Sequence, residues 1–124
     1  VPIEKVEKRP LKMNLFEYGP EMPVQKRQSQ TLSDVFPFNS QIPVTWLSVD
    51  GNHQLEILSD IGNCLDIHPL TLEDILDTSQ RPRMEIFEHY LFIELNMLLW
   101  DQDRSQIQAE QISLILGDRY VIMF

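Results

Sequence analysis

Three carboxylates lie close together in the run Asp66-Ile-His-Pro-Leu-Thr-Leu-Glu-Asp-Ile-Leu-Asp77: Glu73, Asp74 and Asp77. Pro69 suits the first position of a short helix, where its missing N–H costs nothing and its φ is already helical. With about 100° between successive residues, Leu72, Ile75 and Leu76 gather on one side of that helix and the three acids on the other. No Lys or Arg stands within the helix to pair with them, so they repel one another. A hard, oxygen-loving cation relieves that repulsion. Mg²⁺ takes octahedral oxygen, keeps several waters, and is commonly held by one or two carboxylates. Glu73, Asp74 and Asp77 are therefore candidate metal ligands, too few for a full shell, with the remaining ligands supplied by a partner. The plainer reading of the same spacing is a solvated outer face.

Other chemistry finds little support. The chain has no G-x-S-x-G, H-E-x-x-H or G-x-x-x-x-G-K-[ST], the patterns that expose a nucleophile, hold zinc or cradle phosphates. Cys64 and His68 are four residues apart, and a cysteine beside a histidine can be a nucleophile with its base. The plainer assignment puts Cys64 on the apolar face of a helix and His68 in the turn before Pro69. His53 and His89 fall in turns and face solvent. Acid–base work by paired carboxylates needs a walled cleft that separates their pKa values, and no pattern here implies one. The chain does not read as an enzyme.

The 124 residues suffice for one domain with a core. At 43% apolar and 23% charged residues they read as globular. The net charge of −9 is uneven: residues 1–27 carry six Lys/Arg against four Glu, leaving −11 on residues 28–124. An acidic body repels phosphate backbones, which argues against nucleic-acid partners and for cations or basic ones. A single cysteine rules out an internal disulfide framework and a Cys-x-x-Cys site, and fits a reducing compartment. No apolar run reaches the ~20 residues of a membrane helix, and the N-terminus lacks a signal-peptide core.

The elements that must position the acids follow from periodicity and punctuation. Residues 1–43 are broken by six prolines. Within them, residues 11–18 alternate as a strand ended by Gly19-Pro20, residues 24–30 suit a polar edge strand, and Thr31–Asp34 starts a helix that Pro37 cuts short. Val44–Val49 is β-branched and aromatic, as a buried strand requires. Asp50-Gly51-Asn52 turns the chain, with Asn52 as N-cap of a helix through Leu65 that Gly62-Asn63 loosens. The lone glycine of that turn does not make a dinucleotide fingerprint. After the acidic helix, Met84–Phe87 and Tyr90–Trp100 read as strands joined through Glu88-His89. In the second strand Leu91, Ile93, Leu95, Met97 and Leu99 point one way, opposite a mixed face that includes Phe92 and Glu94 and is expected to be only partly covered. Asp101-Gln-Asp103 makes a polar turn. Ile107–Leu116 and Arg119–Phe124 are the last strands, with Gly117-Asp118 as a two-residue type II′ turn. The chain closes inside an apolar strand, as expected of a fragment of a longer protein.

Several blocks together resemble a known family. Val44-Thr-Trp-Leu-Ser-Val-Asp-Gly51, Ile67-His-Pro-Leu-Thr-Leu-Glu-Asp-Ile-Leu76, Gln80-Arg-Pro-Arg83, Tyr90-Leu-Phe-Ile93 and Glu110-Gln-Ile-Ser-Leu-Ile-Leu116 occur in the order found in the cytoplasmic N-terminal domain of CorA magnesium transporters. The resemblance covers about residues 43–124. Residues 1–42 share only its general character.

The resemblance implies an α/β (α+β) fold: a three-layer α/β/α domain with a mixed, largely antiparallel sheet flanked by short helices, residues 1–124 forming one C-terminally truncated cytoplasmic N-terminal domain. It implies a homopentameric channel for Mg²⁺, also passing Co²⁺ and Ni²⁺, on the cytoplasmic side of the inner membrane. It further implies regulation by Mg²⁺ bound between neighbouring copies through the Glu-Asp pair after the His-Pro turn, here Glu73-Asp74; Asp77 is added from the helical arc alone. The family's pore helices and Gly-Met-Asn signature are absent from this chain, so by itself it transports nothing. A zinc transporter of the same superfamily, and a free-standing acidic interaction module, are the alternatives.

Overall fold

The structure, a computed structural model, describes residues 11–50 and 55–124. Seven strands form one sheet: β1 (Lys12–Gly19), β2 (Met22–Ser29), β3 (Val44–Asp50), β4 (Arg83–Ile86), β5 (Tyr90–Asp101), β6 (Gln106–Gly117) and β7 (Tyr120–Met123). Among the described residues three helices accompany them: α1 (Leu32–Val35), α2 (Leu55–Leu65) and α3 (Pro69–Leu76). The strand order is β2-β1-β3-β7-β6-β5-β4. Only β3 and β7 pair in parallel; the remaining pairings are antiparallel. The fold is thus the expected mixed, largely antiparallel α+β arrangement with short helices. The expected Asn52 cap, the Asp50–Asn52 turn beyond Asp50, and His53 lie outside the described residues.

Register puts one residue of each strand in line across the sheet. Leu15 faces Leu47, Leu47 faces Ile122, Ile122 faces Ile115, and Ile115 faces Phe92. All five are buried, and they join Leu58 and Ile61 of α2, Leu72 and Ile75 of α3, and Val35 of α1 in one core. The described helices therefore cover a single face of the sheet. On the opposite face Phe16, Trp46, Val121, Leu116, Leu91 and Ile86 form an equally continuous row, with Ile86 77% exposed. Past Glu94 and Ser113 the β5–β6 hairpin runs on as a two-stranded arm, whose Leu98, Trp100 and Ile107 are exposed.

Several local expectations are corrected. The all-apolar face of β5 is the open one, and the mixed face holding Tyr90, Phe92 and Glu94 is the buried one. Burial follows the helices here, because Glu94 is satisfied in part by Ser113 directly opposite it. Gly62 does not loosen α2. It is buried where α2 meets α3, and a Cβ there would lie 2.8 Å from a Leu72 methyl. The residue with positive φ after α2 is Asp66 (φ 55°). The two-residue turn between β6 and β7 is Asp118-Arg119 in place of Gly117-Asp118, and positive φ falls on its second residue, Arg119 (φ 67°), not on its first as type II′ requires. Cys64 is exposed rather than packed on the apolar face of α2, and Leu76 is exposed, its place in the buried arc taken by Thr71.

Candidate functional site

α3 is fastened at both ends. His68 is its N-cap: the backbone is extended, and the ring Nδ1 accepts the Leu70 N–H at 3.0 Å, satisfying one of the free donors of the first turn. Pro69 follows at the first helical position, as its fixed φ favours. The His68 N–H donates to the Tyr90 hydroxyl at 3.1 Å, and that hydroxyl also bonds Thr71 Oγ1 at 2.8 Å. Tyr90 in turn stacks on Phe87 at 4.5 Å. The first residue of β5 thus fixes the His-Pro turn against the sheet. His68 Nδ1 is thus engaged in the cap, and Cys64 is free and exposed. His89, exposed as expected, reaches the Asp66 carbonyl through Nε2 at 2.6 Å.

At the other end, Asp77 closes the helix. Its Oδ1 accepts the Ser79 N–H (2.9 Å) and Ser79 Oγ (2.6 Å), and its Oδ2 accepts Gln80 Nε2 (2.9 Å). These hydrogen bonds, Ser79 foremost, hold the Asp77 carboxyl below the usual carboxylate pKa. Its carbonyl accepts Gln111 Nε2 at 2.8 Å, which ties the helix end to β6. Asp77 fastens the loop leading to β4.

The other two acids differ sharply. Glu73 is exposed on α3. Asp74 is half-buried, its side chain 27% exposed, and its Oδ2 pairs with Arg83 Nη2. Arg83 Nη1 pairs with Glu85, and the guanidinium carbon lies 5.6 Å from the Phe92 ring centroid. Directly across the β4–β5 ladder from Arg83 stands Glu94, only 1% exposed. Glu94 Oε2 accepts Ser113 Oγ at 3.0 Å, while Oε1, and Nε of Arg83, find no hydrogen-bond partner among the described residues. Burial pushes the Glu94 carboxyl pKa up, against the pull of Ser113 and Arg83.

The structure therefore separates what the helical arc grouped. Asp77 serves its own loop, Asp74 is neutralised by an arginine nine positions along the chain, and Glu73 is exposed with no partner among the described residues. No cluster of three His, Cys, Asp or Glu arranged to hold a metal occurs among the described residues. The donors are of the right kind for a hard divalent cation but too few for a closed shell, so they suit an ion that keeps most of its water. Sequence reasoning missed Arg83, Glu85 and Glu94 around this helix. The one available signal was a glutamate alternating with Phe92 inside an apolar strand.

Fold and site define an acidic mixed-sheet domain that presents carboxylates on a short helix capped by a His-Pro turn. Residues 43–124 match the family model described as CorA-like Mg²⁺ transporter protein. The chain is 41% identical over 93 residues to the cobalt/magnesium transport protein CorA of Thermotoga maritima, covering 75% of this chain and 26% of that protein. Its fold superposes on the soluble domain of CorA from Methanocaldococcus jannaschii with a TM-score of 0.60, over 90% of this chain and 39% of that one, at 15% identity. On the complete CorA magnesium transporter of the same organism the TM-score is 0.64, over 90% of this chain and 31% of that one, again at 15% identity. The chain belongs to the CorA family, and it spans about a quarter of the length of the curated relative it matches. Among the described residues no helix is long and apolar enough to cross a membrane.

Proposed function

We propose that residues 1–124 form the cytoplasmic N-terminal, cation-sensing domain of a Mg²⁺ transporter that also passes Co²⁺ and Ni²⁺. The working assembly is a homopentamer in the inner membrane, with Glu73 and Asp74 of each copy facing acidic groups of the next. One observation carries this reading: in a chain of the CorA family, the residues of the matching blocks (His68, Pro69, Arg83, Tyr90, Gln111) all serve to position α3, and Glu73 is left exposed on it. A helix fastened so firmly, with an exposed carboxylate that has no partner among the described residues, is suited to presenting charge to a neighbour.

Glu73 and Asp74 repel acidic groups of an adjacent copy when divalent cations are scarce, and that repulsion is relieved when a cation is shared between them. Two unit charges ~4 Å apart interact by ~1 kcal/mol in water and ~4 kcal/mol at a protein surface. Repeated over several interfaces, this approaches the ~5 kcal/mol that carries a two-state equilibrium from one side to the other. Salt weakens it.

The test is transport by the full-length protein. Replacing Glu73→Gln together with Asp74→Asn should weaken closure by intracellular Mg²⁺, read as residual Mg²⁺ or Co²⁺ uptake at a Mg²⁺ concentration that silences the parent. Unchanged Mg²⁺ inhibition in the double variant would remove the carboxylate clamp.

A further inference from the structure

We propose that Arg83 is the resident counter-ion of the α3 site, and that a divalent cation binding at Asp74 displaces it onto Glu94. This inference rests on the reading of Glu73 and Asp74 as a cation site. Its substance is a pair of mismatched orphans. Arg83 holds Asp74 through Nη2 and Glu85 through Nη1, yet its Nε is buried without a partner. Glu94, buried on the same face of the sheet and directly opposite Arg83 in the β4–β5 register, has its Oε1 equally unpartnered. A directly opposed antiparallel pair places its Cβ atoms about 4.5–5.5 Å apart, well within the reach of arginine and glutamate. Each group offers what the other lacks: a fork of N–H donors on one side and an empty carboxylate oxygen on the other.

Asp74 stands on α3 above this pair and Glu94 stands beside it, so the guanidinium, which holds Glu85 through Nη1, has two further carboxylates to choose between. With Asp74 free of metal, Arg83 takes it. A divalent cation at Asp74 repels the guanidinium, and Glu94 Oε1, without a partner among the described residues, stands directly across the ladder to accept it. Phe92, under the guanidinium at 5.6 Å, provides a ring face along which the planar group can pivot without losing its cation–π contact. The consequence is a competition built into the fold. Arg83 lowers the affinity of the site, and Glu94 restores part of it by receiving the displaced charge. Arg83 acts as a positioning residue here, not as a ligand.

The two partners have opposite effects, and this separates the proposal from a merely structural role. Mg²⁺ titrations of the 124-residue chain, followed by the amide NMR shifts of Glu73 and Asp74 at fixed pH and ionic strength, give the affinity. Arg83→Gln should tighten Mg²⁺ binding about tenfold, and Glu94→Gln should weaken it about fivefold, within the usual range of site-to-site coupling. Arg83→Lys should return the affinity toward that of the parent, and in the parent the Glu94 side-chain carboxyl carbon should shift as Mg²⁺ is added. Equal affinities in the parent and Arg83→Gln, or variants that both weaken binding, overturn the exchange while leaving the cation site standing. If Arg83→Gln does not fold, Arg83→Lys and Glu94→Gln decide: unchanged affinity in Glu94→Gln overturns the proposal. Absence of any saturable shift at Glu73 and Asp74, in the parent and in Arg83→Gln alike, overturns the cation-site reading and the exchange together.

Discussion

The two faces of the sheet are nearly opposite in what they contain and in how they are used. The helix-covered face holds Met13, Leu15, Leu47, Phe92, Ile115 and Ile122, and with them Glu17, Thr45, Glu94 and Ser113, all buried. The open face carries hardly a polar group along its central row, yet Trp46, Leu116 and Ile86 on it are exposed. Composition alone would have assigned the faces the other way round. Burial depends on which face the helices pack against, and polar residues survive beneath them where the ladder supplies a partner, as Ser113 does for Glu94 and Arg27 for Glu17 (3.1 Å). Tyr90, Arg83 and Gln111, which position α3, project from this same covered face, so the candidate site grows out of the core instead of being attached to it.

The sharpest break of this comparison is a large-to-small change on each face. Phe92 is fully buried and Ile86 is 77% exposed. Phe92→Ala should cost about 3–5 kcal/mol in urea unfolding, since it removes buried area and leaves a cavity under α3. Ile86→Ala, on the open face one position from the residue opposite Phe92, should stay within about 0.5 kcal/mol. Similar losses at both positions would show that the open face is covered in solution.

A smaller effect tests the link between the covered face and the site. Tyr90→Phe removes only the hydroxyl that the His68 N–H and Thr71 Oγ1 share. Because Thr71 is buried and keeps its own hydroxyl, the loss should be about 1–3 kcal/mol. Amide exchange should quicken first at Leu70 and Thr71, where α3 begins. Uniform quickening over the whole chain would mean that Tyr90 supports the core in general and not the His-Pro turn in particular.

Much of this was legible in the sequence, and the reasons for the remainder are physical. Alternation and turn residues placed β1, β2, β3 and the β5–β6 hairpin, and Pro69 marked the start of α3, because each signal is local. The family resemblance supplied the mixed sheet with its few short helices, while the third layer it implied does not appear among the described residues, whose helices cover one face. The buried face of β5 was not legible, since alternation gives two faces and says nothing of which one the helices meet. Nor was Gly62: a glycine near a helix end reads as a cap unless one knows that Leu72 of the next helix presses on it. The neutralisation of Asp74 is the plainest case. No basic residue lies within α3, and Arg83 reaches it only because β4 runs beneath the helix, a tertiary fact with no local trace.

The finest contrast lies between two carboxylates perturbed in opposite senses, Glu94 buried on the covered face and Asp77 exposed at the end of α3. Burial raises the pKa of Glu94 above its ordinary 4.5, and hydrogen bonds from Ser79 and Gln80 lower that of Asp77 below its ordinary 3.8. A group whose folded pKa is raised binds its proton more tightly in the folded than in the unfolded chain. Its contribution is therefore fully present below the unfolded pKa and is lost as pH rises through the folded one. For Glu94, stability should decline as pH climbs above about 4.5 and level off once the buried carboxyl has ionised. Asp77 works the other way, its contribution present above about 3.8 and fading as pH falls through its lowered value. Glu94→Gln cannot titrate, so urea midpoints measured from about pH 2 to pH 8 should lose the decline seen in the parent above about 4.5 while keeping the fall below about 3.8 due to Asp77. A variant with the same slope above pH 4.5 as the parent would show that Glu94 titrates as a solvated group. The covered face would then reach water beside Arg83 and Asp74.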